Sequence, residues 1–231
     1  MIIMNAKTAP PKEKSNGVSM KCAQKVKESI SPAQGEKPRI GLDIDDTVAA
    51  TKLAAIASIR DKGGSVEMEQ LVTPFLENHV VGITLTEAEI KGILMELWKN
   101  NSDQVQLLDP KIPEILKSIK ENYDISITTA TDADDETLTK WLVKNGIPFD
   151  EIIHVESSSK KLDASSHIDV FIDDFPKVVD GAAKRGKIGI LIKQKWNEEY
   201  RKGNTTDNPN VIHANDWPHI QELLTELLRK E

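Results

Sequence analysis

The sequence predicts an α/β protein: a doubly wound, Rossmann-like parallel sheet with a helical insertion after the first strand. Three observations predict it. From residue 109 onward, short apolar runs alternate with amphipathic helical stripes. A long, mostly helical stretch at about 48–108 interrupts that alternation just after the first apolar run. Several of the apolar runs end in clusters of aspartate or threonine. Short apolar strands alternating with helices are the pattern of a parallel sheet covered on both faces.

The elements follow in chain order. Residues 40–44 form a short apolar run, read as a buried strand. Residues 48–61 are alanine-rich and stop at Gly63-Gly64, which predicts a helix. A second helical pattern over 68–79 is broken by Pro74, so its helix is expected to start at Thr73-Pro74. Thr86 and Glu89 have capping-box spacing and open a stripe of Ile90, Ile93, Leu94, Leu97 and Trp98. Asp109-Pro110 begins another helix, with Ile112, Ile115, Leu116 and Ile119 on one face. Strands are then expected at 124–129, 151–155, 168–173, 187–193 and 211–212. Helices at 134–145 and 175–185 separate them, and a terminal helix capped by Asp216 follows.

Residues 1–37 stand apart as a flexible basic tail and linker, leaving 38–231 as the α/β core with its insertion. The tail holds seven lysines and three glutamates, a net of +4 within a chain of net charge −7. Its composition favours disorder over 1–17, and a faint stripe of Val18, Cys22, Val26 and Ile30 follows. The rest of the chain is strongly acidic, which argues against a nucleic-acid polymer as partner. No apolar run approaches the ~18 residues of a membrane span. The single cysteine, Cys22, excludes an internal disulfide framework and points to a reducing, cytoplasmic setting. A homodimer is left open.

Chemistry concentrates where the strands end. Ligands of open parallel sheets bind outside the carboxyl ends of the strands. There the sequence places Asp43-Ile44-Asp45-Asp46-Thr47, Thr128-Thr129 and Asp173-Asp174, with Lys160-Lys161 in a nearby loop. Asp45-Asp46-Thr47 alone could simply cap a helix; together with Asp173-Asp174 that reading loses ground. Two unit charges about 4 Å apart repel by about 4 kcal/mol at an effective dielectric constant of about 20. Several carboxylates in one crevice therefore call for a cation. An oxygen-only ligand set without His or Cys suits Mg²⁺. The crevice reads as a Mg²⁺-assisted phosphoryl-transfer site, with Asp43 as nucleophile, Asp45 as general acid and then base, and Thr129 on the phosphoryl oxygens.

In order, D-I-D-D-T, I-T-T, a lysine and I-D-D resemble the haloacid dehalogenase superfamily of phosphatases and phosphotransferases, over residues 39 to about 230. The insertion matches that superfamily's cap position. The resemblance implies Asp43 as nucleophile, Asp45 as acid/base and Thr129 as the phosphoryl-holding hydroxyl. It implies Mg²⁺ held by Asp43, the backbone carbonyl of Asp45, and Asp173 or Asp174. Asp46, Thr47, Ala130 and the lysine pair join Thr129 around the phosphate. The motif lysine is Lys160 or Lys161, with Lys160 preferred.

Three further segments, I-T-T-A with W-L-V-K-N-G-I-P-F-D-E-I, L-I-K-Q-K-W-N, and N-D-W-P-H-I-Q-E-L-L, resemble the 5′-nucleotidase and deoxyribonucleotidase branch. Two positions depart from common relatives: Thr131 stands where many carry arginine, and Asp46 where many carry glycine. The implied activity is a Mg²⁺-dependent phosphomonoesterase acting on nucleoside monophosphates. The alternatives are a phosphatase for sugar or other small-metabolite phosphates, and a non-catalytic binding protein of the same fold. An insertion over the crevice favours a small phosphorylated metabolite over a polymer end. Trp98, Trp141 and Trp217 lie on helical stripes and are expected in the core, and Trp196 at the crevice mouth. The five histidines show no zinc spacing.

Overall fold

A computed structural model describes residues 36–66, 71, 73, 76–131, 133–203 and 208–228. The expectations for the basic tail and its apolar stripe fall on residues 1–35 and lie outside the described residues.

Strand β1 (Arg39–Leu42) leads into the insertion: helix α1 (Thr51–Asp61), strands β2 (Ser65–Val66) and β3 (Val80–Val81), and helix α2 (Glu87–Asn100). The chain continues through α3 (Ile112–Lys120), β4 (Asp124–Thr129), α4 (Asp135–Lys144), β5 (Glu151–His154), α5 (Lys161–Ala164) and β6 (Val170–Asp173). It ends with α6 (Pro176–Lys184), β7 (Ile188–Ile192), α7 (Glu198–Gly203), β8 (Val211–Ala214) and α8 (Trp217–Leu228).

Six strands form one sheet in the order β5-β4-β1-β6-β7-β8, every pair parallel. The chain winds outward from β1 to β5, then returns to β6 and winds the other way. This is the doubly wound α/β arrangement, with β1 at the switch. Leu42 pairs with Ile127 on one side and Ile172 on the other. That register brings the residues just past β1, β4 and β6 to one edge.

Both sheet faces are covered. Alternate residues of a strand point to opposite faces: Val170 and Ile172 enter the larger core, whereas Phe171 joins a smaller cluster with Ile168, Val178 and Ala182. α3 and α8 pack on the larger side, where the buried Tyr123 hydroxyl donates to the Leu224 carbonyl (2.8 Å).

The structure departs from the expected insertion at three points. It is not helical throughout, because β2 and β3 form a short antiparallel pair. And where a helix from Thr73-Pro74 was expected, the described residues show a single 3₁₀ turn, Leu76–Asn78; residues 67–70, 72, 74 and 75 lie outside them. The first helix also starts at Thr51 rather than residue 48, because residues 44–49 are used in a tight turn. The insertion leaves and returns through a narrow neck, where Ala50 N–H donates to Gln106 O and Leu108 N–H to Val48 O (both 2.8 Å). α2 opens with the expected capping box, Thr86 N–H donating to Glu89 Oε2 (2.8 Å) and Glu89 N–H to Thr86 Oγ1 (3.3 Å). Among the described residues, no helix is long and apolar enough to cross a membrane.

One close approach fixes α6 against the sheet. A Cβ on Gly189 of β7 would sit 2.5 Å from the Val179 carbonyl oxygen, a backbone atom that cannot swing aside. Gly189→Ala should therefore destabilise the fold by about 1–3 kcal/mol, the usual range for overpacking. Urea unfolding would measure it, and an unchanged midpoint would contradict the packing.

Candidate active site

The site grows from the turn after β1. Asp43 N–H donates to Ile172 O (3.0 Å), extending the β1–β6 pairing by one residue. The Ile44 carbonyl then receives three N–H groups, from Thr47, Val48 and Ala49 (3.3, 3.0 and 2.9 Å). So tight a turn requires Asp46 at φ 59°, in the left-handed region. Glycine enters that region freely, and aspartate is among the few side-chain-bearing residues that tolerate it. Here Asp46 is further tied down: its carboxylate accepts the Lys52 backbone N–H (2.9 Å) and pairs with the Lys52 ammonium, and its carbonyl accepts Gln194 Nε2 (2.6 Å).

Asp45 points toward the insertion. Its Oδ1 accepts Thr51 Oγ1–H from α1 (2.6 Å) and Trp98 Nε1–H from α2 (3.0 Å). Burial, then repulsion from Asp43, push this carboxyl up to about 6 despite those bonds.

Asp43, Asp173 and Asp174, all buried, each place a carboxylate oxygen within 4.8 Å of the other two. Lys161 Nζ, at the start of α5, sits between Asp43 Oδ1 (2.5 Å) and Asp173 Oδ2 (2.9 Å). Thr47 Oγ1–H adds a longer contact to Asp43 Oδ2 (3.3 Å). This corrects the sequence preference: the lysine against Asp43 is Lys161, only 3% exposed, whereas Lys160, one residue earlier, lies on the surface. Burial lowers the Lys161 ammonium's proton affinity, but Asp173 and Asp43 more than offset it, so the pKa ends above the lysine value.

The acidic pair is held unequally. Both Asp173 oxygens are engaged, Oδ1 by the Phe175 N–H (2.8 Å) and Oδ2 by Lys161. Asp174 Oδ2 accepts Trp196 Nε1–H (2.7 Å), while its Oδ1 receives no hydrogen bond among the described residues. Burial, followed by Asp43 repulsion, raises Asp173 to about 6 against the pull of Lys161. Burial, then the charges of Asp173, Asp43 and Asp46, raises Asp174 well above the usual carboxylate range, with Lys52 opposing.

This donor set fits Mg²⁺. It is all oxygen, carries more negative charge than Lys161 balances, and leaves one carboxylate oxygen of Asp174 without a hydrogen bond among the described residues. The ligands would be Asp43, Asp174 and the Asp45 carbonyl, with Asp173 securing Lys161. The Asp45 carboxylate is not part of the trio.

Thr129, fully buried at the end of β4, accepts the Thr131 N–H at Oγ1 (3.1 Å), and half-buried Ala130 lies between them. The sequence reading missed Thr51, Lys52, Gln194 and Asn197, and it gave Trp98 and Trp196 no polar role. Thr51 and Lys52 lie one helical turn past the motif, a spacing that could have flagged them. Trp196, expected at the crevice mouth, is 8% exposed and lies against Asp174. Trp98 is in the core as expected, yet also holds Asp45.

No family model matches the chain, and no curated protein matches it. Solved structures do. A haloacid dehalogenase-like hydrolase from Streptococcus pneumoniae is 17% identical, with a TM-score of 0.55 over 82% of this chain and 98% of its own. Protein Tyrosine Kinase A from Mycobacterium tuberculosis is 19% identical, with a TM-score of 0.58 over 82% and 99%. YfnB from Bacillus subtilis, assigned by name to the HAD hydrolases and solved bound to magnesium, is 16% identical, with a TM-score of 0.52 over 82% and 99%. The chain shares their fold.

The crowded acids set the sign of a stability profile. Asp45 and Asp173 take up protons at about 6 when folded and near 3.8 ordinarily, so the folded chain binds more protons across that window. Asp174 acts in the same sense. Their destabilisation is absent below the window and complete above it. His213, its pKa lowered first by burial, works the other way, one group against three. Metal-free protein should therefore melt at least roughly 3 °C higher at pH 5.5 than at pH 7.5, and Mg²⁺ should narrow the gap by raising the midpoint at pH 7.5. Calorimetry would check both, and a higher metal-free midpoint at pH 7.5 would contradict the crowding.

Proposed function

We propose that this protein is a Mg²⁺-dependent phosphomonoesterase working through an aspartyl-phosphate on Asp43. The carrying observation is the convergence of Asp43, Asp173 and Asp174 around one point with Lys161 wedged between two of them. Bound Mg²⁺ would supply charge relief where an anionic nucleophile meets an anionic phosphate.

The chain's own residues divide the rest. A carboxylate oxygen of Asp43 attacks phosphorus, and the bond from phosphorus to the ester oxygen breaks. Asp45 gives its proton to the departing oxygen, and its raised pKa keeps a protonated fraction near neutrality. Asp45 then takes a proton from water as that water attacks the phosphoryl group. Inorganic phosphate leaves and Asp43 is restored. Lys161 holds Asp43 in place and offsets its charge. Thr129, with Thr47 and the backbone around Asp46 and Ala130, bounds the phosphoryl position.

The fold alone does not select hydrolysis, since one solved structure that shares it is named a kinase. What supports hydrolysis here is an acid/base carboxyl placed two residues from the nucleophile. Nucleoside monophosphates are the proposed substrates, supported by the resemblance of the three segments described above. In the structure those segments have scaffold duties: Trp217 Nε1–H donates to Thr47 O (3.0 Å), and the Q-K-W-N turn holds Asp174. Other small phosphate esters are the second reading. A cytoplasmic setting belongs to the same proposal.

Asp43→Asn should abolish phosphate release from p-nitrophenyl phosphate, by a factor of about 10³ or more, and EDTA should do the same to the unaltered chain. Robust turnover in EDTA would overturn the metal-assisted reading. Asp45→Asn should give a single burst of nitrophenol and then stall, because the aryl leaving group needs no proton while the second step needs a base; steady turnover without a burst would remove Asp45 from that role. In a phosphate-release panel, nucleoside monophosphates should lead other esters by about tenfold, equivalent to about 1.4 kcal/mol. A flat panel would leave the second reading.

A further inference from the structure

The turn Gln194-Lys195-Trp196-Asn197, between β7 and α7, grips the acidic crevice at four points. Trp196 Nε1–H donates to Asp174 Oδ2 (2.7 Å). Asn197, fully buried, donates Nδ2–H to the Asp174 carbonyl (2.9 Å) and to the Ile192 carbonyl (2.9 Å). Gln194 Nε2–H reaches the Asp46 carbonyl (2.6 Å). The Lys52 ammonium lies 4.0 Å from the Trp196 ring centroid while paired with Asp46. The turn is itself rigid, because Asn197 Oδ1 accepts the Gln194 N–H (3.0 Å).

Resting on the reading that Mg²⁺ joins Asp43 and Asp174, we propose that Trp196 is a positioning residue for the metal site, fixing the Asp174 carboxylate so that its other oxygen, Oδ1, faces the ion. The geometry favours this over simple core filling. A carboxylate rotates about its terminal bond unless an oxygen is held, and here one oxygen is held by a single directional donor. The donor is neutral. A lysine or arginine in that place would compete with the metal for the same charge, whereas an indole N–H satisfies one oxygen and leaves the negative charge to the ion. The Asn197 bond to the Asp174 carbonyl pins the backbone beneath it, so position and rotation are fixed by neighbouring residues of one turn. Hydrogen-bond partners of metal ligands commonly alter metal affinity by about 10–100-fold when removed.

The test uses the full chain and a readout independent of catalysis. Binding of Mn²⁺, a paramagnetic substitute for Mg²⁺, is measured from the free-ion EPR signal in the EDTA-stripped and dialysed protein, in Trp196→Phe, and in Asp174→Asn. The phenylalanine variant keeps an aromatic ring beneath Lys52 and removes the donor together with part of the ring. Trp196→Phe should weaken Mn²⁺ binding at least tenfold in metal-free protein that still unfolds cooperatively, at a somewhat lower midpoint. A dissociation constant within twofold of the unaltered chain would overturn the proposal. Should Trp196→Phe not fold, ¹H–¹⁵N spectra of the unaltered chain decide. Mg²⁺ should shift the Trp196 indole resonance and leave that of Trp141, which donates to the Val105 carbonyl. An unmoved Trp196 signal at saturating Mg²⁺ overturns the proposal. If the unaltered chain binds no Mn²⁺, or Asp174→Asn binds it equally well, the metal site itself is refuted, a result distinct from a failure of Trp196 alone.

Discussion

Repulsion among buried carboxylates is the constraint around which the rest is arranged. Asp43, Asp45, Asp46, Asp173 and Asp174 crowd the edge of the sheet where it changes winding direction, and among the described residues Lys52 and Lys161 answer them with charge. Such a cluster opposes folding at neutral pH, so the fold must impose it. It does so with backbone: β1 and β6 are parallel neighbours in the sheet's interior, and their register leaves Asp43 and Asp173 side by side whatever their charges prefer. The apolar strands and the helices covering both faces supply the cohesive energy against which that crowding is set.

The remaining acceptors are satisfied largely by neutral donors. All four tryptophans of the chain give an indole N–H to a group at the crevice or its surroundings. Trp98 takes Asp45, Trp196 takes Asp174, Trp217 takes the Thr47 carbonyl, and Trp141 takes the Val105 carbonyl near the insertion's neck. Trp98 and Trp141 also meet edge to face, with centroids 5.6 Å apart. Tryptophan suits this work because it presents a large apolar body to the core and a single donor at its edge. It can wall off a carboxylate from water, meet one oxygen, and add no charge. In a chain with few aromatics, that concentration explains why tryptophans expected only as core proved to be core and polar at once.

The fold was legible because its strands are short, apolar and buried on both faces, and because the helices between them carry strong stripes and caps. The strand-end motifs were legible because the carboxyl edge of a parallel sheet collects them whatever the details. The insertion was less so: strands of two residues, such as β2 and β3, are too short to show a period. The lysine was misjudged because adjacent residues point in different directions where a helix begins, and α5 turns Lys161 inward and Lys160 out. Lys52 against Asp46, Trp98 against Asp45 and Trp196 against Asp174 are tertiary contacts, the last two spanning 53 and 22 residues. No local pattern announces the two tryptophan contacts, whereas Lys52 stands only six residues past Asp46.

One consequence ties the insertion to the chemistry. Asp45 Oδ1 has two donors, and both come from the insertion: Thr51 near the neck on α1, and Trp98 far along α2. Asp46 is likewise bound from α1, by Lys52. The neck is short and hydrogen-bonded on both strands, so α1 is anchored where it leaves the core. α2 runs back into the same neck at its far end, with Trp98 close in sequence to Gln106 and its ring edge to face with Trp141 of α4. Loss of the Trp98 indole from Asp45 would leave Thr51 as the remaining one of those two donors. A carboxyl that keeps one donor and loses the other is a different acid from one held by both. The insertion thus does more than roof the crevice, because its position sets the surroundings of the group that must hold and release the proton.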